Sequence, residues 1–164
     1  MPVISFKTRI NAPKEVCFDL CRSIDLHKVS TSHTNEEAIR GVVSGLIDLG
    51  ETVTWRAKHL GFYQRLTSVI TEYERPDLFV DELEKGIFSH FRHEHRFAND
   101  GEFTLMTDVF DYRSPLGILG KLADKLFLKA YMTDLLDRRN KTIKSFAENG
   151  KWQEIVKIPK STIY

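Results

Sequence analysis

The residues of this chain best suited to chemistry are two histidines, His93 and His95, in the stretch Phe91-Arg92-His93-Glu94-His95-Arg96-Phe97. Side chains of a β-strand alternate between its two faces, so both imidazoles project on the face that carries the two phenylalanines. The intervening residues are all charged and project toward water: Arg92, Glu94 and Arg96. The pattern predicts two histidines on the inner, apolar face of a sheet.

Neighbouring strands offer polar partners for these histidines. His59 and Asp81 each lie on the apolar face of an alternating run. Asp108 joins them if Met106 and Phe110 face inward, but the sequence is equally compatible with the opposite face of residues 103–112 pointing inward. Histidines and carboxylates enclosed by aromatic residues shift one another's pKa through desolvation and charge.

Four interpretations of this cluster remain open. The polar groups could simply hydrogen-bond to one another in a partly wet cavity. They could recognise the polar end of a largely apolar ligand. They could act as acid and base, for example in proton removal next to a carbonyl in an aldol-type cyclisation, with His93, His95 and Asp108 as candidates. A zinc site with His59 or Asp108 as third ligand is conceivable, but two histidines make no metal motif, so we predict no metal and no cofactor.

The rest of the chain carries no second catalytic signature. No glycine-rich loop precedes a helix, and no Gly-x-Ser-x-Gly elbow occurs. We expect Cys17 and Cys21 to be reduced, half-buried core thiols. The remaining side chains that could bind or react are predicted to lie at the surface: His27, His33, His90, Arg138, Arg139, Lys141 and Lys144.

Composition excludes several classes of function. Of 164 residues, 41% are hydrophobic and 29% are charged, and 24 Lys and Arg face 23 Asp and Glu. This balance favours no nucleic-acid partner. No apolar run is long enough for a transmembrane segment, and the first residues do not resemble a signal peptide. We therefore expect a cytoplasmic protein.

Periodicity predicts one strand, two short helices, about six further strands and a long final helix. The strands are predicted at residues 2–10, 38–43, 52–60, 63–73, 78–85, 90–97 and 103–112. The final helix begins at Ser114-Pro115-Leu116-Gly117 and ends near Asn149-Gly150. Its apolar stripe changes face between Leu126 and Met132, which indicates a kink or a change of packing partner.

The element order predicts an α+β fold of the helix-grip type, as a single domain over residues 1–164 with the tail 151–164 partly ordered. A curved antiparallel sheet of about six or seven strands has one face to water, and the long C-terminal helix must cover the other. This arrangement leaves a cavity between sheet and helix.

Several motifs add a family resemblance that covers nearly the whole chain. They are Gly45-x-x-x-x-Gly50-Glu51-x-Val53-Thr54-Trp55-Arg56-Ala57-x-His59, Leu66-Thr67-x-x-Ile70-Thr71-x-Tyr73-x-x-Pro76, Phe79-x-Asp81-Glu82, Phe91-x-His93-x-His95-x-Phe97 and Ser114-Pro115-Leu116-Gly117. With the element order, they resemble the ligand-binding, polyketide cyclase/dehydrase-like branch of the SRPBCC (START-like) superfamily. The resemblance implies a hydrophobic cavity but transfers no catalytic motif.

We therefore predict that the protein binds a small lipophilic molecule between the sheet and the C-terminal helix, as a monomer or weak homodimer. The cavity mouth is expected beside the first half of that helix, at Gly117 and Gly120. A cyclase or dehydratase using the same cluster, and a protein- or membrane-interaction module, are the alternatives. The predicted ligand contacts are Trp55, His59, Leu66, Ile70, Asp81, Phe91, His93, His95, Phe97, Met106, Asp108, Phe110, Tyr112, Leu122 and Leu126.

Overall fold

The computed structural model describes residues 2–115 and 124–156 of the chain. Its strands are β1 (Val3–Ile10), β2 (Glu37–Gly41), β3 (Thr52–His59), β4 (Phe62–Glu74), β5 (Leu78–Lys85), β6 (His90–Asp100) and β7 (Phe103–Arg113). Its helices are α1 (Lys14–Cys21), α2 (Ile24–Ser30), α3 (Lys129–Glu148) and α4 (Trp152–Ile155), with a 3-10 turn at Ser32–Thr34 and a π-helical turn at Asp124–Leu128.

The described strands form one antiparallel sheet in the order β1-β7-β6-β5-β4-β3-β2. Burial alternates along β3, β6 and β7 because one face meets the core and the other meets water. In β7 the buried face is the one that carries Met106, Asp108, Phe110 and Tyr112. This settles the inward face that the sequence left open.

The outward face of β6 is charged, as predicted. Arg92 pairs with Glu72 on β4 and with Glu94 on its own strand. Arg96 also contacts Glu94. These half-exposed ion pairs contribute little to stability but keep this face in water, so the histidines must face inward.

Helix α3 packs against α1, α2 and β1 through one stripe of buried residues that includes Leu136, Ile143 and Ala147. An aromatic cluster of Phe88, Phe91, Phe110 and Tyr112 packs with Leu136 beneath one end of the sheet. The larger core cluster is centred on α1 and includes Phe18, which makes edge contacts with three rings of the sheet. The helix-grip architecture is confirmed.

The predicted start of the long helix cannot be compared with the structure, because residues 116–123 lie outside the described part. That stretch also holds Gly117 and Gly120, the predicted cavity mouth. The π-helical turn at Asp124–Leu128 lies where the apolar stripe changes face. A π turn rotates the residues that follow it around the helix axis, which accounts for this change. Within the described residues, no helix has the length and apolarity needed to span a membrane.

Candidate functional site

A cavity of about 420 Å³ lies between the inner face of the sheet and helices α2 and α3. Strand β3 lines it because Val53, Trp55 and Ala57 all project from the inward face of this alternating strand. Eight of the predicted ligand contacts among the described residues line the cavity: Trp55, His59, Leu66, Ile70, Asp81, Phe91, His93 and Phe110.

The other predicted contacts do not line it. Phe97, Met106 and Tyr112 face inward, but other core side chains enclose them and leave 3%, 0% and 0% of their surface exposed. His95 and Asp108 lie one layer beneath the cavity surface, at 1% and 2% exposure. Leu126 was predicted on the apolar wall but is 69% exposed, because in the π-helical turn it is the neighbouring Phe127 and Leu128, not Leu126, that face the cavity. Leu122 lies outside the described residues.

Helix residues that the sequence analysis did not assign supply much of the wall. They are Phe127, Leu128, Tyr131, Met132, Leu135, Leu136 and Arg139. These residues recur at intervals of three and four, which is the apolar stripe visible in the sequence. The same spacing could have been used to predict that they line the cavity. Phe88, in the β5–β6 connection, had no comparable signal.

The cavity floor is a network of histidines and carboxylates on β5, β6 and β7. Strand register places Asp81 opposite His93, and His95 opposite Asp108. His95 uses both ring nitrogens: Nδ1 lies 2.5 Å from Asp108 Oδ1, and Nε2 lies 3.2 Å from Asp81 Oδ1. His93 is farther from both carboxylates, at 3.8 Å from Asp81 and 3.6 Å from Asp108.

Helix α3 supplies the partners that complete this network. Asn140 Nδ2 donates a hydrogen bond of 2.7 Å to Asp108 Oδ2. Arg139 Nη2 donates to the backbone oxygen of Cys21 at 2.8 Å and lies 3.3 Å from Cys21 Sγ. The predicted surface location of Arg139 is wrong: it is 7% exposed because buried carboxylates and a carbonyl compensate its charge.

The carboxylates and His95 hold one another in charged forms. Burial opposes ionisation of Asp108, but the adjacent imidazoles of His93 and His95 outweigh it and keep the pKa of this carboxyl well below its ordinary value. Burial also opposes a charge on His95, yet Cys21 and the two aspartates raise its pKa well above the ordinary value. His95 is therefore an imidazolium that donates on both sides.

His93 behaves differently from its neighbour. Burial, together with the positive charge of His95, lowers the pKa of His93 to about 4. Its Nε2 atom has no hydrogen-bond partner among the described residues, and neither do Arg139 Nη1 and Asn140 Oδ1. Asp81, His93 and Arg139 of this network line the cavity, so the neutral imidazole and the guanidinium are groups that a bound molecule can meet there beside the Asp81 carboxylate.

A second polar group lies elsewhere on the cavity wall. His27 stacks on Trp55 with ring centroids 4.1 Å apart, and its Nε2 lies 3.4 Å from Glu36 Oε1. His59 Nδ1 and Tyr131 Oη share a hydrogen bond of 2.8 Å that joins β3 to α3. His27 was predicted at the surface and is half-buried, because the imidazole covers the indole and pairs with Glu36 on the cavity side of α2.

The remaining side chains follow the sequence interpretation more closely. His33 is exposed, and His90 is half-buried at the start of β6. Cys17 and Cys21 are both free, and both are fully buried rather than half-buried. Two groups have ligand atoms close enough to hold a metal ion in principle: Asp81 with His93 and His95, and Cys21 with His95 and Asp108.

Comparison with known proteins adds information on the fold. No protein-family model and no curated protein matches the chain by sequence. A crystal structure of a protein from Thermus thermophilus is similar, with a TM-score of 0.68 and 18% identity over 90% of this chain and 100% of that one.

Two further solved structures are similar to this chain. Major latex-like protein 151 from Panax ginseng is similar with a TM-score of 0.65 and 16% identity, over 89% of this chain and 97% of that one. A START superfamily protein from Mycobacterium smegmatis is similar with a TM-score of 0.66 and 12% identity, over 88% of this chain and 96% of that one. Together with the sheet order and the C-terminal helix, these matches show that the chain has the START-like helix-grip fold.

Proposed function

We propose that this protein binds a small, mostly apolar molecule with a polar group at one end, in the cavity between the sheet and α3. The observation that carries the proposal is the cavity itself, about 420 Å³ of space walled by apolar side chains. Ligand sites in proteins fall between about 300 and 1,000 Å³ and pair apolar walls with a few convergent polar groups.

The orientation of the ligand follows from two polar groups that line the cavity at its floor, His93 and Arg139. The guanidinium of Arg139 can only donate hydrogen bonds, and neutral His93 offers one donor and one acceptor. A carbonyl, carboxylate or hydroxyl oxygen satisfies the guanidinium nitrogen, and a hydroxyl also satisfies the imidazole. The apolar body of the ligand then lies along Trp55, Leu66 and Leu135 on the wall.

The same contacts weaken the alternative of acid–base catalysis. Both nitrogens of His95 are already bound to carboxylates, so the ring has no free position for a substrate. A His93 pKa of about 4 makes this imidazole a weak base at neutral pH. Binding therefore fits the floor better than proton transfer does.

Filling the cavity from β3 tests the proposal. Ala57 is 4% exposed and lines the cavity, so Ala57→Phe places a ring inside it. Ala98→Phe makes the same change at an exposed position of β6 and is the matched control. The probe is anilinonaphthalene sulfonate, whose fluorescence reports transfer to an apolar site.

We expect saturable binding of one probe per chain for the wild type and for Ala98→Phe, and at least a tenfold weaker affinity for Ala57→Phe. Circular dichroism checks that both variants are folded. Equal binding by all three proteins would place the probe on the surface and contradict the proposal. Native mass spectrometry of protein purified without detergent then identifies any apolar molecule that the cavity carries.

A further inference from the structure

We propose that the floor of this cavity also binds a divalent transition-metal ion, with Asp81, His93 and His95 as ligands and one coordination position open to the cavity. The inference does not depend on which organic molecule occupies the cavity. It adds a metal site to a floor for which the sequence predicted none.

The geometry of three side chains on two adjacent strands carries the proposal. Asp81 Oδ1 lies 3.2 Å from His95 Nε2 and 3.8 Å from His93 Nδ1, and one ligand atom of each residue lies within 4.8 Å of the others. Zinc binds such atoms at about 2.0–2.2 Å, which separates neighbouring ligand atoms of a tetrahedral site by about 3.3–3.6 Å. The two distances from Asp81 Oδ1 are within a few tenths of an ångström of that separation, and the two imidazoles must close to it from at most 4.8 Å.

His93 points to a missing partner. The residue is 6% exposed, and its Nε2 atom forms no hydrogen bond to any described residue. Both carboxylates near the ring, at 3.6 and 3.8 Å, are beyond good hydrogen-bond distance. A buried imidazole left in this state is costly. An ion bound at Nδ1 would leave the ring proton on Nε2, which faces Asp108 at 3.6 Å, so that a small shift would complete this hydrogen bond.

The surroundings resemble the outer contacts of a metal site. A ligating histidine usually donates its other N–H to a carboxylate, which fixes the tautomer and the ring orientation. Asp108 lies 2.5 Å from His95 Nδ1 and 3.6 Å from His93 Nε2, so one carboxylate can serve both histidines. Asn140 holds that carboxylate from α3 at 2.7 Å.

Charge and donor type favour a transition ion. Before an ion binds, the imidazolium of His95 and the guanidinium of Arg139 face the two carboxylates of Asp81 and Asp108. An ion bound between Asp81 and His95 would take over the charge of the imidazolium, and His95 Nε2 would release its proton to become a ligand. Two imidazole nitrogens and one carboxylate suit zinc, cobalt or iron better than calcium or magnesium. Asp81 and His93 both line the cavity, which leaves the fourth position on the cavity side.

The full chain is first treated with a chelator, which is then removed. The protein is titrated with Zn²⁺ in a calorimeter and with Co²⁺ in a spectrophotometer. We expect one ion per chain and the visible absorption bands of four-coordinate Co²⁺. His93→Gln and Asp81→Asn should each weaken Zn²⁺ binding by at least about 100-fold. Asp108→Asn, which removes only the outer partner, should weaken it by about 10- to 100-fold. His33→Gln is the control, because this exposed histidine should leave the affinity unchanged.

Absence of Zn²⁺ binding up to about millimolar concentration would overturn the proposal, as would equal affinity for the wild type and a folded His93→Gln variant. Circular dichroism establishes folding, and if Asp81→Asn does not fold, His93→Gln decides alone. Probe binding is measured separately in the presence of the chelator. Failure of the metal site therefore leaves the proposed function standing, and failure of probe binding leaves the metal site standing.

Discussion

Arg139 is the residue on which the charge balance of the cavity floor depends. It brings the one guanidinium that lies within ion-pair distance of Asp108 in the described part of the chain, and it also bonds to the C-terminal end of α1. A buried charge of this kind is expensive to introduce and still more expensive to leave without its partner. Its neighbour Arg138 differs sharply, since it is exposed and, among the described residues, its side chain pairs only with Asp134 one turn away.

The contrast between these two arginines gives a prediction in which Arg139 is tested and the adjacent Arg138 is the control. Arg139→Met should lower the free energy of unfolding by about 3–5 kcal/mol, because it leaves Asp108 with one charge partner fewer and the Cys21 carbonyl without its donor. Arg138→Met should cost less than about 0.5 kcal/mol. Urea denaturation of both variants at neutral pH measures the difference. Equal costs would mean that Arg139 is not buried as the structure places it.

Cys17 gives a prediction for alkaline pH. Burial raises the pKa of its thiol to about 12, whereas an unfolded thiol titrates near about 8.5. The folded state therefore keeps the proton while the unfolded state loses it, and stability that is fully present below about pH 8.5 is lost as the pH rises toward 12. The advantage of the wild type over Cys17→Ala should shrink by about 2–3 kcal/mol between about pH 7 and about pH 10.5.

Urea denaturation of both proteins at the two pH values measures this change. Other groups titrate in the same range, but they are common to both proteins and cancel in the difference. A constant difference between wild type and variant would show that the Cys17 thiol ionises equally well in the folded protein.

For individual residues, the sequence predicted well which face of a strand a side chain occupies, but it predicted poorly which charged side chains are buried. Alternation alone placed His93 and His95 on the inner face, because period two admits no other arrangement when the intervening residues are charged. Arg139 was misplaced because its type suggested a solvated surface. Its position, three residues after Leu136 and four before Ile143, lies on the buried stripe, so helical spacing contained the correct answer.

At the scale of elements, the β3–β4 hairpin combines strain with exposure. Leu60 has a φ of 52° and is followed by Gly61 at 89°, so both central turn residues adopt the left-handed conformation. Leucine is disfavoured there by about 1–2 kcal/mol. Yet Leu60 is 52% exposed and lines the cavity, which suggests that its side chain is kept for contact with a ligand.

Leu60→Asn tests whether this turn trades stability for binding. Asparagine tolerates a positive φ, so the variant should gain about 0.5–1 kcal/mol in the free energy of unfolding and about 1–4 °C in Tm. Affinity for anilinonaphthalene sulfonate should fall by several-fold. Leu49→Asn, at another exposed leucine, should change neither quantity. An unchanged Tm for Leu60→Asn would indicate that the turn carries no strain.

The limits of elements were predictable where turn residues mark them. β5 begins and ends where expected, at Leu78 and Lys85, because Pro76-Asp77 and Gly86 flank it. β2 was expected at residues 38–43 but spans Glu37–Gly41, since Gly41 has a positive φ and its Cα lies against the Thr52 carbonyl, where a Cβ would clash. The outline of the site needed tertiary packing that periodicity does not contain, above all the depth of His95 and Asp108.

At the scale of the whole molecule, the cavity links binding to folding. Its walls come from α2, α3 and most strands of the sheet, so a molecule that fills it contacts elements that come together only in the folded protein. The His59–Tyr131 hydrogen bond and the Asn140–Asp108 hydrogen bond already join α3 to the sheet on two sides of this space. A ligand in the cavity should therefore stabilise the fold as a whole rather than one segment.

Thermal unfolding with and without the probe measures this coupling. At a probe concentration about 100 times Kd, binding to the folded state alone should add about 2.7 kcal/mol, which corresponds to a rise in Tm of about 5–10 °C for a chain of this size. Ala57→Phe should show at least a threefold smaller rise, and Ala98→Phe should match the wild type. If the wild type bound the probe but its Tm did not rise, the probe would be binding the folded and unfolded chains alike, and the site would not be the cavity between sheet and helix.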